Sequence, residues 1–129
     1  MKHTNILLVD DDADDQLIFI DALNEIAAGI ECATANNGLE ALEYLKEVVP
    51  KPTLIFLDLN MPFMNGFECL ARIKKEDPLK EIPVVIFTTS DNPGDEKRTK
   101  ELGAKIFFTK GPSFRLLKEK LLNILITDF

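Results

Sequence analysis

Apolar residues along this chain fall into two alternating kinds of run. Short ones of strand length, Ile6 to Val9, Ile30 to Ala35, Thr53 to Leu57, Pro83 to Phe87 and Lys105 to Thr109, are rich in β-branched and aromatic residues. Between them, apolar positions recur at intervals of three and four. Ile18, Phe19, Ala22, Leu23 and Ile26 predict a helix from Asp14 to Ala27. After the Asn36-Asn37-Gly38 turn, Leu39, Leu42, Tyr44 and Leu45 predict a second that stops before Pro50. Phe67, Leu70 and Ile73 mark a third from Gly66 to Glu76. The mostly polar segment from Asp95 to Leu102, ended by Gly103, predicts a fourth, and Phe114, Leu117, Leu121 and Leu125 form the inner stripe of a fifth from Phe114 to Ile126.

Five strand–helix units result, without repeats or low-complexity tracts. Strands that are apolar at successive positions are buried on both faces, the signature of a parallel sheet covered by helices. The expected class is α/β, a doubly wound (βα)5 three-layer sandwich. In such folds ligands collect at the carboxyl ends of the strands.

Composition narrows the picture without changing it. A chain of 129 residues, 46% of them hydrophobic, fits one domain with one core. Acidic residues outnumber basic ones 22 to 15, for a formal charge of −7, which disfavours direct nucleic-acid binding and favours cations or basic partner surfaces. No apolar run approaches the roughly 20 residues of a membrane helix, and the four-residue run after the polar N-terminus is too short for a signal-peptide core. Cys32 and Cys69 show no metal or redox spacing and are expected to be reduced, packed thiols, so the expected location is cytoplasmic.

The informative polar residues stand where strands end. The first strand runs into Asp10, Asp11 and Asp12, the third into Asp58, the fourth into Thr88 and Thr89, and the fifth into Lys110. Taken singly, each aspartate is most simply a helix N-cap or turn residue, and Asp14 and Asp15 are assigned to a helix first turn on that ground. Taken together on one rim of a parallel sheet, the carboxylates repel and need a counter-charge. An all-oxygen donor set suits Mg²⁺. Such a site favours phosphoryl chemistry, in which the cation and Lys110 neutralise the transferring group and a carboxylate serves as nucleophile.

Over nearly its whole length the sequence resembles the receiver domain of two-component response regulators. The match rests on Leu8-Val9-Asp10-Asp11, on Leu57-Asp58-Leu59-Asn60-Met61-Pro62-Phe63-Met64-Asn65-Gly66, on Pro83 to Thr88, and on Gly103-Ala104 followed at family spacing by Lys110. The resemblance implies a flavodoxin-like fold with sheet order 2-1-3-4-5. It implies that Asp58 is the phosphoacceptor, that Asp11 binds Mg²⁺ directly and Asp10 partly through water, and that the Asn60 carbonyl is the third protein ligand. Thr88 matches the hydroxyl that moves to the phosphoryl group, Lys110 the ammonium that pairs with it, and Phe107 the aromatic residue that swings inward on activation. The implied donor is a phosphohistidine on a sensor histidine kinase or a histidine phosphotransfer protein. The implied role is a phosphoacceptor signalling protein, not an enzyme with a separate substrate, whose domain spans 1–129 with no output domain. The expected state is a monomer or a homodimer modulated by phosphorylation.

Several features depart from the family pattern. Gly111 separates Lys110 from Pro112, which lengthens the loop and leaves both isomers open for the bond before Pro112. Thr89 is bulkier than the Ala or Gly usual there and is expected to slow small donors, so Thr89→Ala should be labelled faster by acetyl phosphate. Phe107 lacks a hydroxyl and must rely on packing. Leu17 and Ile20 add apolar surface to the first helix, either as a wide core stripe or as a docking patch for the donor. His3 is expected to be exposed, and Lys97, Arg98, Thr99 and Lys100 to form a solvated face. Two other classes compete. Asp10-x-Asp12 resembles the motif of haloacid-dehalogenase-like phosphatases, but Ala13, Asp14 and Asp15 follow where those enzymes carry a Thr. A flavodoxin-like cofactor carrier would share the fold, but aspartates here would repel its FMN phosphate.

Overall fold

The computed structural model describes residues 2–129. Five strands, β1 (Asn5–Val9), β2 (Glu31–Ala35), β3 (Leu54–Leu57), β4 (Val84–Thr88) and β5 (Ile106–Thr109), alternate with five helices. The helices are α1 (Ala13–Ile26), α2 (Gly38–Glu47), α3 (Gly66–Ile73), α4 (Pro93–Glu101) and α5 (Phe114–Leu125). All pairings are parallel, as the doubly apolar strands predicted, and the strand order is β2-β1-β3-β4-β5, as the family resemblance implied. One element was not foreseen, a 3₁₀ turn at Leu79–Glu81, which is too short to carry a period.

The alternation of side chains along each strand divides the core in two. Leu7, Val9, Ile55, Leu57, Val84 and Ile86 face α2 and α3, where they meet Leu42, Leu45, Leu70 and Ile73. Ile6, Leu8, Leu54, Phe56, Val85 and Phe87 face the other way, onto Phe19 and Leu23 of α1 and Leu117 and Leu121 of α5. Each such side chain removed from water is worth about 1.5–3 kcal/mol, and the two layers bury the sheet on both faces. The central strands β1, β3 and β4 are buried on both faces almost throughout. β2 and β5 are only partly so, because each has a single neighbour.

Capping explains where the helices start. The Asp12 carboxylate accepts from the backbone N–H of Asp14 and Asp15 at 2.9 and 3.1 Å, and Asn37, Asn65, Asn92 and Ser113 cap the other four. A cap of this kind contributes about 1 kcal/mol. The polar α4 depends on it most, aided by Pro93 in its first turn, Asp95 and Glu96 near its N-terminus and Arg98 and Lys100 near its C-terminus.

Three expectations are corrected, and one left open, the isomer before Pro112, is decided. His3 is buried, not exposed: Nε2–H donates to the Thr127 carbonyl at 3.0 Å and Nδ1 meets the Thr53 hydroxyl at 3.2 Å, tying the N-terminal segment to the chain end. Ile18 lies at the edge of the α1 core face and is half exposed. At about 100° per residue it stands a quarter-turn from the Phe19, Ala22, Leu23 and Ile26 face, and Leu17 stands almost opposite. The α4 face is not wholly solvated, since Thr99 is buried with its hydroxyl donating to the Glu96 carbonyl, and the Arg98 guanidinium stacks 4.0 Å from the Phe67 ring centroid. The bond before Pro112 is trans; the cis X-Pro bonds are Val49–Pro50 and Asp77–Pro78.

Candidate functional site

The sheet register brings the polar strand ends to one rim. Leu57 pairs with both Val9 and Ile86, so the residues that follow these strands emerge side by side. The Asp58 N–H donates to the Val9 carbonyl and the Asp10 N–H to the Ala35 carbonyl, both at 3.0 Å, which extends the ladder one step past the strands and fixes both backbones. Asp10 is completely buried and Asp58 nearly so, while Asp11 is exposed.

Beyond Asp58 the chain turns back tightly. The Gly66 N–H donates to the Leu59 carbonyl at 2.9 Å, and a Cβ at Gly66 would collide with the Asp58 carbonyl oxygen. Only glycine permits that approach, so Gly66 holds the loop that carries Asn60 against the acidic residue. Phe63 in the same loop adopts φ +67° and is 83% exposed.

Lys110 reaches into this rim from the end of β5. Its ammonium donates to Asp10 Oδ2 at 2.7 Å, Asp15 Oδ2 at 2.9 Å and Asp58 Oδ2 at 3.2 Å, which uses all three of its protons. The remaining oxygens are also engaged: Asp10 Oδ1 accepts from the Asp12 N–H at 3.0 Å and Asp58 Oδ1 from the Leu59 N–H at 2.7 Å. Burial raises the Asp10 carboxyl above its ordinary range, more than the Lys110 and Asp12 hydrogen bonds lower it. Burial pulls the Lys110 ammonium the other way from its carboxylates, but the bonds to Asp10 and Asp15 and the charge of Asp58 win, and it is held above its ordinary value. One ammonium is thus shared among three carboxylates, and the cluster keeps a net negative charge.

That excess charge, together with the donor set, fits a divalent cation. Asp10, Asp11 and Asp58 each offer a carboxylate oxygen, all within 4.8 Å of one another. Hard oxygen donors alone, with no sulfur or imidazole among them, suit Mg²⁺ or a similar ion. Asn60, Thr89 and Lys110 line the same open cleft as Asp11 and Asp58. Thr89 is exposed on its rim, whereas Thr88 is fully buried, with its hydroxyl accepting from the Ser90 N–H at 3.4 Å. Phe107 is half-buried against the α2–α3 side of the core.

The candidate site residues Asp10, Asp11, Asp58, Asn60, Thr88 and Lys110 therefore stand on or behind one rim of the sheet, whereas Phe107 lies inside β5, on the face toward α4. Asp15 was overlooked. Its place in a helix first turn is correct, but it also pairs with Lys110. The signal was available in the spacing: a carboxylate four residues after Asp11, one turn into a helix capped by Asp12, points back over the strand ends. The cysteines play no part: burial pushes the thiols of Cys32 and Cys69 up to about 12.

Comparison with known proteins agrees with this geometry. The family model of the response regulator receiver domain matches residues 6–122. Response regulator Rcp1 of Synechocystis sp. is 37% identical over 115 residues, covering 85% of this chain and 78% of that one. The structure of the Mn²⁺-bound form of Rcp1 superposes with a TM-score of 0.87 at 33% identity, covering 98% of this chain and 97% of that one. That of the phosphorylated cyanobacterial phytochrome response regulator RcpA gives 0.86 at 35%, covering 95% and 91%. Acid rim, buried hydroxyl, strand-end lysine and family match converge, and the chain belongs to the response regulator receiver domain family, the signalling switches of two-component systems.

Proposed function

We propose that Asp58 accepts a phosphoryl group from a phosphohistidine on a sensor histidine kinase or a histidine phosphotransfer protein, in a reaction that requires Mg²⁺. The observation that carries the reading is the Asp58 carboxylate itself, held at the mouth of an open cleft between the Lys110 ammonium and the carboxylates of Asp10 and Asp11. Its neighbours in the family point the same way: one is described as phosphorylated and another as Mn²⁺-bound.

An Asp58 oxygen attacks phosphorus in line with the P–N bond of the donor. The new O–P bond forms as that bond breaks, and the imidazole leaves with the electron pair. Asp10, Asp11, Asp58 and the Asn60 carbonyl would hold Mg²⁺, which would neutralise charge on the phosphoryl oxygens. Lys110 already points its ammonium at Asp58 and meets the charge that develops there. The modified side chain carries roughly one to two extra negative charges, which draw Lys110 and the Thr88 hydroxyl toward the phosphoryl oxygens. Movement of Thr88 frees space on the β4–β5 side of the core, and Phe107 turns into it. The α4–β5–α5 surface then differs between the two states and carries the output. The chain thereby assists its own phosphorylation and hydrolysis and acts on no separate substrate.

Incubation with acetyl phosphate and Mg²⁺ followed by intact-mass measurement tests the reading. A single phosphoryl adduct should form, and should be absent with EDTA or in Asp58→Asn. An adduct of equal yield in Asp58→Asn would overturn it.

A further inference from the structure

The three carboxylates around Lys110 are not equivalent. Asp10 and Asp58 also belong to the set that can hold a cation, together with Asp11. Asp15 does not. Its carboxylate pairs with Lys110 at 2.9 Å and is only one-third exposed. Its backbone is fixed independently of the cluster, because its N–H donates to the Asp12 cap at 3.1 Å. When Asp10 and Asp58 turn to a metal ion, two of the three acceptors of Lys110 are drawn away and Asp15 is the one left.

We propose that Asp15 is a positioning residue for the phosphorylation reaction, a parking carboxylate that keeps Lys110 beside the site while the metal takes Asp10 and Asp58. The inference rests on the functional reading above and extends it to a residue outside the family motif.

Two consequences follow from the charges. With Asp15 present, the cation and the ammonium do not compete for the same oxygens, since Lys110 retains a partner of its own. With Asp15 neutral, Lys110 has only Asp10 and Asp58 to pair with and opposes the metal directly. Asp14 provides the contrast. It is exposed, adjacent in sequence and equally charged, and among the described residues its carboxylate pairs with no lysine.

Calorimetric titration with Mg²⁺ separates this role from a general loss of negative charge. Asp15→Asn should weaken Mg²⁺ binding roughly fivefold, and Asp14→Asn less than about twofold, because an unpaired exposed charge is screened. In a Lys110→Ala background, the effect of Asp15→Asn should shrink to that of Asp14→Asn. A second measurement needs no change at Lys110. In the Mg²⁺-saturated wild type, the Lys110 side-chain ammonium should give a slowly exchanging ¹⁵N–¹H resonance, and Asp15→Asn should lose it. Equal effects of the two asparagine variants, an Asp15→Asn effect undiminished by Lys110→Ala, or an ammonium resonance unchanged in Asp15→Asn would each overturn the proposal. Wild-type protein that binds Mg²⁺ normally but forms no Asp58 adduct would overturn the functional reading instead, and this role with it.

Discussion

Lys110 is the residue on which the electrostatics of the rim depend. It donates to three carboxylates, its side chain is nine-tenths buried, and removing it leaves their repulsion unopposed. Lys110→Met should lower folding stability by about 3 kcal/mol in metal-free buffer. The pH dependence follows from the raised ammonium. Its contribution is fully present below the unfolded value of 10.5 and is lost only as pH rises through the higher folded value. Urea denaturation of wild type and variant should therefore give the same stability gap at about pH 7 and about pH 9.5. A gap that closes within that range would mean that the lysine sheds its proton early. Phe63 is a residue of the opposite kind. At φ +67° its Cβ is strained, and an 83% exposed ring gains little by burial in return. Phe63→Gly should stabilise the fold by about 1 kcal/mol, measured as a higher urea midpoint with unchanged slope. A lower midpoint would show that the ring supports the loop.

Among the elements, α1 illustrates how far periodicity can be read. Phe19, Ala22 and Leu23 are buried as the helical stripe required, and Ile26 packs beside them. Ile18 shares their spacing, yet it lies on the lip of an apolar pocket of about 160 Å³ shared with Phe108, Pro112 and Leu116. Spacing alone could not separate a wide stripe from two surfaces, because α5 covers only part of the helix. Leu17, 61% exposed, belongs to the outer surface. If the donor docks there, Leu17→Ser should slow phosphotransfer from a phosphohistidine protein at least threefold, roughly 0.7 kcal/mol of lost contact, and leave acetyl phosphate labelling unchanged. Equal slowing of both would place the effect in the site itself. The remaining elements show the same division. Capping residues and turn glycines were legible because they act locally. The partners of His3 were not, since the Thr127 carbonyl and the Thr53 hydroxyl lie far away in sequence, nor was the burial of Thr99, because a buried helix face made by one threonine leaves no pattern.

For the molecule as a whole, parallel pairing was legible from the doubly apolar strands, and parallel pairing is what assembles the site. Asp10, Asp58, Thr88 and Lys110 gather only because every strand points the same way and the register aligns their ends. The sharing of one lysine by three acids depends on side-chain conformations, which no spacing encodes. Charge accumulated in this manner makes the folded state responsive to cations. Mg²⁺ at about a hundred times its dissociation constant should stabilise the protein by about 2.7 kcal/mol, seen as a rise in Tm that EDTA reverses and Asp11→Asn abolishes. A Tm unmoved by Mg²⁺ in wild type would contradict the metal assignment.

The central claim concerns which carboxylate is modified, and borohydride reduction of the acetyl-phosphate-treated protein addresses it most directly. Hydride converts an acyl phosphate to an alcohol, so tandem mass spectrometry reads the position as homoserine. Homoserine at position 58 alone is the expected result. Its appearance at Asp10, Asp11 or Asp12 with Asp58 intact would contradict the assignment of Asp58 as acceptor.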